Sequence, residues 1–143
     1  MIKFFNPEQE TQIIEAIRVA EANTSGEIRV HLEKNSEEDV LGHAWKTFFE
    51  MGMHQTQARN GILIFLAPER RAFAIVGDEG ITQVAPEGFW DAERDLLQEH
   101  FRKGAFVEGL CLAIARVGEK LKTHFPYQSD DVNELPDDIS YGD

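Results

Sequence analysis

The sequence predicts an α/β protein: a three-layer α/β/α sandwich around a small mixed sheet. Three observations lead there. Residues 27–33, "EIRVHLE", alternate polar and apolar, as a strand with one face in the core does. Residues 61–67, "GILIFLA", are a continuous apolar run, which suits a strand covered on both faces, and 72–76, "AFAIV", are a second apolar strand. Amphipathic helical patterns precede, separate and follow these strands, enough to cover both sides of a sheet.

In chain order, Asn6-Pro7 opens the first helix. Asn caps, Pro suits the first helical position, and Gln9 reaches back to the cap. Ile13, Ile14, Ile17 and Ala20 form the stripe, which runs to about Asn23. In strand 27–33, Ile28, Val30 and Leu32 face one way and Glu27, Arg29, His31 and Glu33 the other, so it reads as half-buried. Ser36 with Asp39 three residues later resembles a capping box for a second helix. Leu41, Ala44, Trp45, Phe48 and Phe49 stripe that helix as core rather than as a base-stacking platform, and Gly52 ends it. That helix permits a right-handed parallel crossover between strands 27–33 and 61–67. Residues 68–71 then suffice for a hairpin but not for a crossover, so the last two strands are expected to be antiparallel. A short helix over 80–85 is interrupted by Pro86. A longer one from about 86 to 103 carries Phe89, Glu93, Leu96, Leu97, His100 and Phe101 until Gly104 breaks it. The last has the strongest stripe: Phe106, Leu110, Ala113, Ile114, Val117 and Leu121.

At 143 residues the chain is expected to form one domain over 1–125, followed by an acidic C-terminal tail, 126–143. The tail holds Asp130, Asp131, Glu134, Asp137, Asp138 and Asp143 and no Lys or Arg, so it supplies half of the net charge of −12. It is read either as disordered or as laid along the surface by Tyr127, Leu135 and Ile139. The charge argues against bare nucleic acid and anionic membranes as partners. It also argues against free phosphate esters unless a bound cation reverses the local field. The single Cys111 excludes an intrachain disulfide and reads as an inert, partly buried thiol. No apolar run is long enough to span a bilayer, and the start lacks the basic and apolar regions of a signal peptide. The expected compartment is the cytoplasm. The five histidines show no metal-binding spacing, and no nucleophile–base motif, P-loop or dinucleotide fingerprint is present.

The predicted topology brings three segments to one edge of the sheet: Ser25, Gly26 and Glu27; Arg59 and Asn60; and the loop Gly77-Asp78-Glu79-Gly80. A helix start attracts anions through its free N–H groups. Asp78 and Glu79 oppose that and offer hard oxygen ligands to Mg²⁺ or Ca²⁺. Ser25, Glu27, Arg59, Asn60, Gly77 and Gly80 are the ligand-binding candidates, and Asp78 and Glu79 the metal candidates. Plain turn chemistry explains the loop as well. Asn60 as a backbone cap and Arg59 as an ion-pair partner of Asp78 or Glu79 stay open beside the ligand roles.

The segments "TSGEIRVHLE", "FEMGMHQTQARNGILIFLAPERRAFAIVGDEGI" and "EHFRKGAFVEGLCLAI" resemble the TPM domain family over roughly residues 8 to 125, most closely at Arg59-Asn60-Gly61 and from Gly77 to Ile81. The family includes thylakoid-lumen proteins, a nematode acetylcholine-receptor accessory protein and many bacterial proteins. The tail resembles that of a short bacterial subgroup. The resemblance implies an α/β/α sandwich. Through a plant member, it implies acid phosphatase activity and an association with calcium. It also implies a protein partner, since bacterial members are often encoded beside membrane proteins of the LemA type. Signal peptides and Gly-rich or transmembrane tails, common in the bacterial members, have no counterpart here. Two functions follow. One is a soluble, non-catalytic binding or assembly module with a divalent-cation site. The other is a metal-assisted acid phosphatase, in which a cation on Asp78, with Glu79 or Glu27, activates water on a phosphomonoester while Arg59 steadies the charge.

Overall fold

The structure, a computed structural model, describes residues 4–34, 39–127 and 139–142. Helix α1 (Pro7–Glu21) begins at a full capping box, with the Gln9 N–H donating to Asn6 Oδ1 and the Asn6 N–H to Gln9 Oε1. Strand β1 (Glu27–Glu33) follows, then α2 (Val40–Glu50), β2 (Gly61–Ala67), β3 (Ala72–Gly77), the single turn α3 (Glu79–Thr82), α4 (Phe89–Arg102), α5 (Phe106–His124) and β4 (Ile139–Gly142). The sheet order is β3-β2-β1-β4, with β1 parallel to both β2 and β4 and β3 antiparallel to β2. The predicted crossover and hairpin are both present.

Two cores flank the sheet. Ile62, Ile64 and Leu66 of β2 join Ile28, Val30 and Leu32 of β1 against α1 and α5. Leu63, Phe65 and Ala67, on the other face of β2, pack with Ala44 and Phe48 of α2. Because its side chains alternate, the fully buried β2 forms the floor of both layers. Glu93 of α4 is fully buried; its Oε2 accepts from Arg116 Nε at 2.9 Å across the α4–α5 contact, and burial raises its pKa. No described helix is long and apolar enough to cross a membrane.

Four expectations need correction. The polar face of β1 is not open: Glu27, His31 and Glu33 are all buried, with Ser140 of β4 against His31 and His43 of α2 against Glu33. The α2 stripe is not all core: Phe48 is fully buried, whereas Leu41 is 50% and Phe49 51% exposed. The α4 helix starts at Phe89, after Gly88 at φ 80°, rather than at Pro86. The tail is not merely loose or superficial. Ile139 is buried and β4 extends the sheet, although Tyr127 is exposed and Leu135 lies outside the described residues. Ser36 also lies outside them. Asp39 itself caps α2, accepting from the Gly42 N–H at 2.9 Å.

Candidate functional site

Strand direction builds the rim. Glu27 lies opposite Gly61, and Ile62 opposite Gly77. The starts of β1 and β2 and the end of β3 therefore share one end of the sheet. Hydrogen bonds join the segments. Asn60 Nδ2 donates to Ser25 Oγ at 3.2 Å, and the Glu27 N–H donates to the Asn60 carbonyl at 3.4 Å. The Asp78 N–H donates to the Gly61 carbonyl at 2.9 Å, and the Gly80 N–H to the Arg59 carbonyl at 2.8 Å. The Asn60 N–H is met by Thr56 Oγ1 at 3.3 Å, a partner the sequence did not point to.

An ion pair occupies the centre of this rim. Arg59 donates from Nε to Asp78 Oδ2 at 2.7 Å and from Nη2 to Asp78 Oδ1 at 2.8 Å, and its Nη1 reaches Glu79 Oε1 at 3.3 Å. Such a two-pronged contact matches guanidinium to carboxylate geometry. Asp78 Oδ1 also accepts from the Glu79 N–H at 2.8 Å and so caps α3. The hydrogen bond to Asp78, and the charges of Asp78 and Glu79, raise the pKa of Arg59. Asp78 is only 3% exposed, so this carboxylate belongs to the interior of the junction.

The two loop glycines answer to space. A Cβ on Gly80 would lie 2.2 Å from the Ala58 carbonyl oxygen and 2.5 Å from that of Arg59; one on Gly77 would lie 2.4 Å from Trp90 Cζ2. Backbone meets backbone at Gly80, and an indole fills the place above Gly77.

A divalent cation fits these donors poorly. Three of the roughly four acceptor positions of a carboxylate are already used at Asp78 by Arg59 and Glu79 N–H. The guanidinium stands where the cation would need to be. Glu27 sits across β2, two strand spacings or about 10 Å from the backbone of β3. Among the described residues, no group of three His, Cys, Asp or Glu side chains is placed to hold a metal ion.

A second polar cluster lies at the other end of β1. His31 Nε2 meets Glu33 Oε1 at 2.9 Å, its Nδ1 meets Ser140 Oγ of β4 at 2.6 Å, and His43 Nε2 of α2 stands 3.7 Å from the same Glu33 oxygen. Phe65 stacks beneath the His31 ring. Burial lowers the pKa of His31, with His43 and Arg29 adding to it, while Glu33 opposes. The unfolded chain therefore takes up this proton first as pH falls below the ordinary value of 6.5. The contribution is present above that value and is lost through the lowered folded pKa. Wild-type protein is expected to lose stability to denaturant between about pH 7 and about pH 5, and His31→Gln to lose less over the same interval. Period-2 alternation pointed to His31 and Glu33, but their partners Ser140 and His43 come from an unrecognised strand and from α2. Cys111, whose thiol pKa is raised by burial, approaches the Gln12 carbonyl at 3.8 Å and, among the described residues, has no ionisable partner to activate it.

Comparison with known proteins places the chain. The BA42 protein of the psychrophilic bacterium Bizionia argentinensis is 46% identical, with a TM-score of 0.91 over 99% of this chain and 98% of that one. The N-terminal domain of a P. gingivalis protein shares the fold at a TM-score of 0.70, with 21% identity over 88% of this chain and 83% of that one. So does the N-terminal domain of the cg2496 protein of Corynebacterium glutamicum, at 0.67, with 17% identity over 90% and 80%. No curated protein matches. The family model described as the TPM domain matches residues 2–120, which include every strand of the rim. The chain belongs to the TPM domain family.

Proposed function

We propose that this TPM domain is a non-catalytic binding or assembly module that docks a protein partner on α2. The observation that carries this reading is the outer ridge of that helix. Leu41, Trp45 and Phe49 are spaced four residues apart and lie on one line. Leu41 and Phe49 are half exposed, while Ala44 and Phe48 anchor α2 inward and Trp45 is partly buried against the same core. The Trp45 and Phe49 rings stack at 6.1 Å, and His54 meets Phe49 edge-on at 5.0 Å, so the ridge is held in one arrangement. An ordered apolar ridge on an acidic protein is suited to a groove on a partner. A membrane-associated LemA-type protein is the first candidate.

The alternative, a metal-assisted acid phosphatase acting on phosphomonoesters, asks more of the rim. Asp78 would have to release Arg59 to accept Ca²⁺ or Mg²⁺, and among the described residues no nucleophile–base pair stands beside it. The test is cross-linking in the native organism with wild type and the double variant Leu41→Ser/Phe49→Ser. We expect one stoichiometric protein to be captured by wild type and reduced about tenfold or more by the variant. Melting should shift little, because both side chains are half exposed already. Full capture by a folded variant, or no stoichiometric partner for wild type, contradicts the proposal.

A further inference from the structure

A cavity of about 850 Å³ opens at the end of the β2–β3 hairpin opposite the rim. Its floor is aromatic. Phe73 meets Phe101 at 5.1 Å, Phe101 meets Phe106 at 5.2 Å, and Phe106 meets Phe4 at 5.0 Å, a chain of rings from β3 through α4 and α5 to the segment before α1. All four rings are only half buried, so each presents an edge or face to the opening. Around this floor stand Arg71, Arg94 and Arg102, with no Asp or Glu among the described lining residues. In a chain of net charge −12 with only 14 Lys and Arg, three arginines gather over four phenylalanines.

The arginines are available. Arg94 and Arg102 pair with Asp91 and Glu99 one helical turn away, and all four side chains are at least half exposed. Exposed pairs of this kind contribute little and exchange readily for another anion. Arg71 follows the 3-10 turn Pro68–Arg70 in the left-handed region, at φ 53°, fixed by its N–H donating to the Pro68 carbonyl at 3.0 Å. Among the described residues its guanidinium has no ion-pair partner.

We infer that this cavity is a binding site for a small amphipathic anion, an aliphatic or aromatic body with a single carboxylate, whose body lies on the phenylalanine floor and whose head is met by Arg71 and Arg102. The volume suits a small molecule, the rings supply apolar area, and guanidinium groups pair with carboxylates in two-pronged fashion. This site is separate from the α2 ridge and stands or falls independently of it.

The test is an amide-resonance titration of the whole chain with decanoate, decanol, decylamine and acetate. Decanoate should give saturable shifts at Phe73, Phe101 and Gly104. Acetate, which lacks the body, should give none, and decanol and decylamine should bind at least tenfold more weakly. Arg71→Glu/Arg102→Glu, which alters exposed positions and keeps the amide spectrum of the folded protein, should weaken decanoate about tenfold or more. Decanol or decylamine binding as well as decanoate overturns the inference, as does unchanged affinity in the double variant. Contacts from the Met1 or Ile2 side chains to Phe73 and Phe101 in the free protein, with no response to decanoate, overturn it too.

Discussion

Ending the chain at Tyr127 is expected to lower the melting temperature by about 10 °C and to promote self-association. The truncation removes β4, whose four residues pair with Val30 to Glu33 of β1. Ile139 is buried against Val30 and Leu32 in the α1–α5 core, a side chain whose burial stabilises by about 2 kcal/mol. Ser140 is the His31 partner, and Tyr141 hydrogen-bonds Glu10 of α1. Together these losses amount to about 3 kcal/mol, near 10 °C for a domain of this size. The exposed flank of β1 then becomes an unpaired edge, open to strands from other molecules. Differential scanning calorimetry and sedimentation velocity read the two effects. An unchanged melting temperature and a monomer would show that β4 adds nothing to the domain.

Gly80→Ala is expected to be the most damaging single methyl in the rim, with a loss of about 3 kcal/mol. The new Cβ meets two backbone carbonyls, those of Ala58 and Arg59, and neither can swing aside as a side chain would. Relief requires moving the Arg59 backbone, which sits at φ 52° and carries the fork onto Asp78. The Gly80 N–H bond to the Arg59 carbonyl breaks with it. Urea denaturation should show a lower midpoint with unchanged slope. A loss below about 0.5 kcal/mol, the ordinary level for a surface change, would mean that the junction is not closed as described.

Strands β1 to β3 and their directions were legible because the signals are local. Two apolar runs four residues apart leave no room for anything but a hairpin, and Asn6-Pro7 with Gln9 states its own cap. The convergence of Ser25, Asn60 and Asp78 followed from strand direction alone. What was not legible depends on partners distant in the chain. Alternation in β1 says which side chains share a face, but not what packs against that face. So Glu27, His31 and Glu33 looked exposed and are buried. Strand β4 carries only Ile139 and Tyr141 as apolar signals, and its parallel pairing with β1 has no turn to announce it. Leu41 and Phe49 matched the helical stripe but sit at its margin, where spacing cannot separate core from outer ridge. The loop at Gly77 posed a choice between ligand site and turn. Arg59 in a left-handed conformation, which no motif signals, turns its guanidinium onto Asp78.

The central claim is that the rim is closed on itself: Asp78 is spent on Arg59 and on capping α3, leaving binding to other surfaces. Calcium chloride titrated into the protein, followed at the backbone amides of residues 77–80, tests this most directly. The account predicts no saturable shift at those amides while Arg59 is present. It also predicts that Arg59→Gln, which frees the Asp78 carboxylate, lets calcium move them. Saturable calcium shifts centred on Asp78 and Glu79 in the wild-type protein would contradict it and restore the cation-bearing loop.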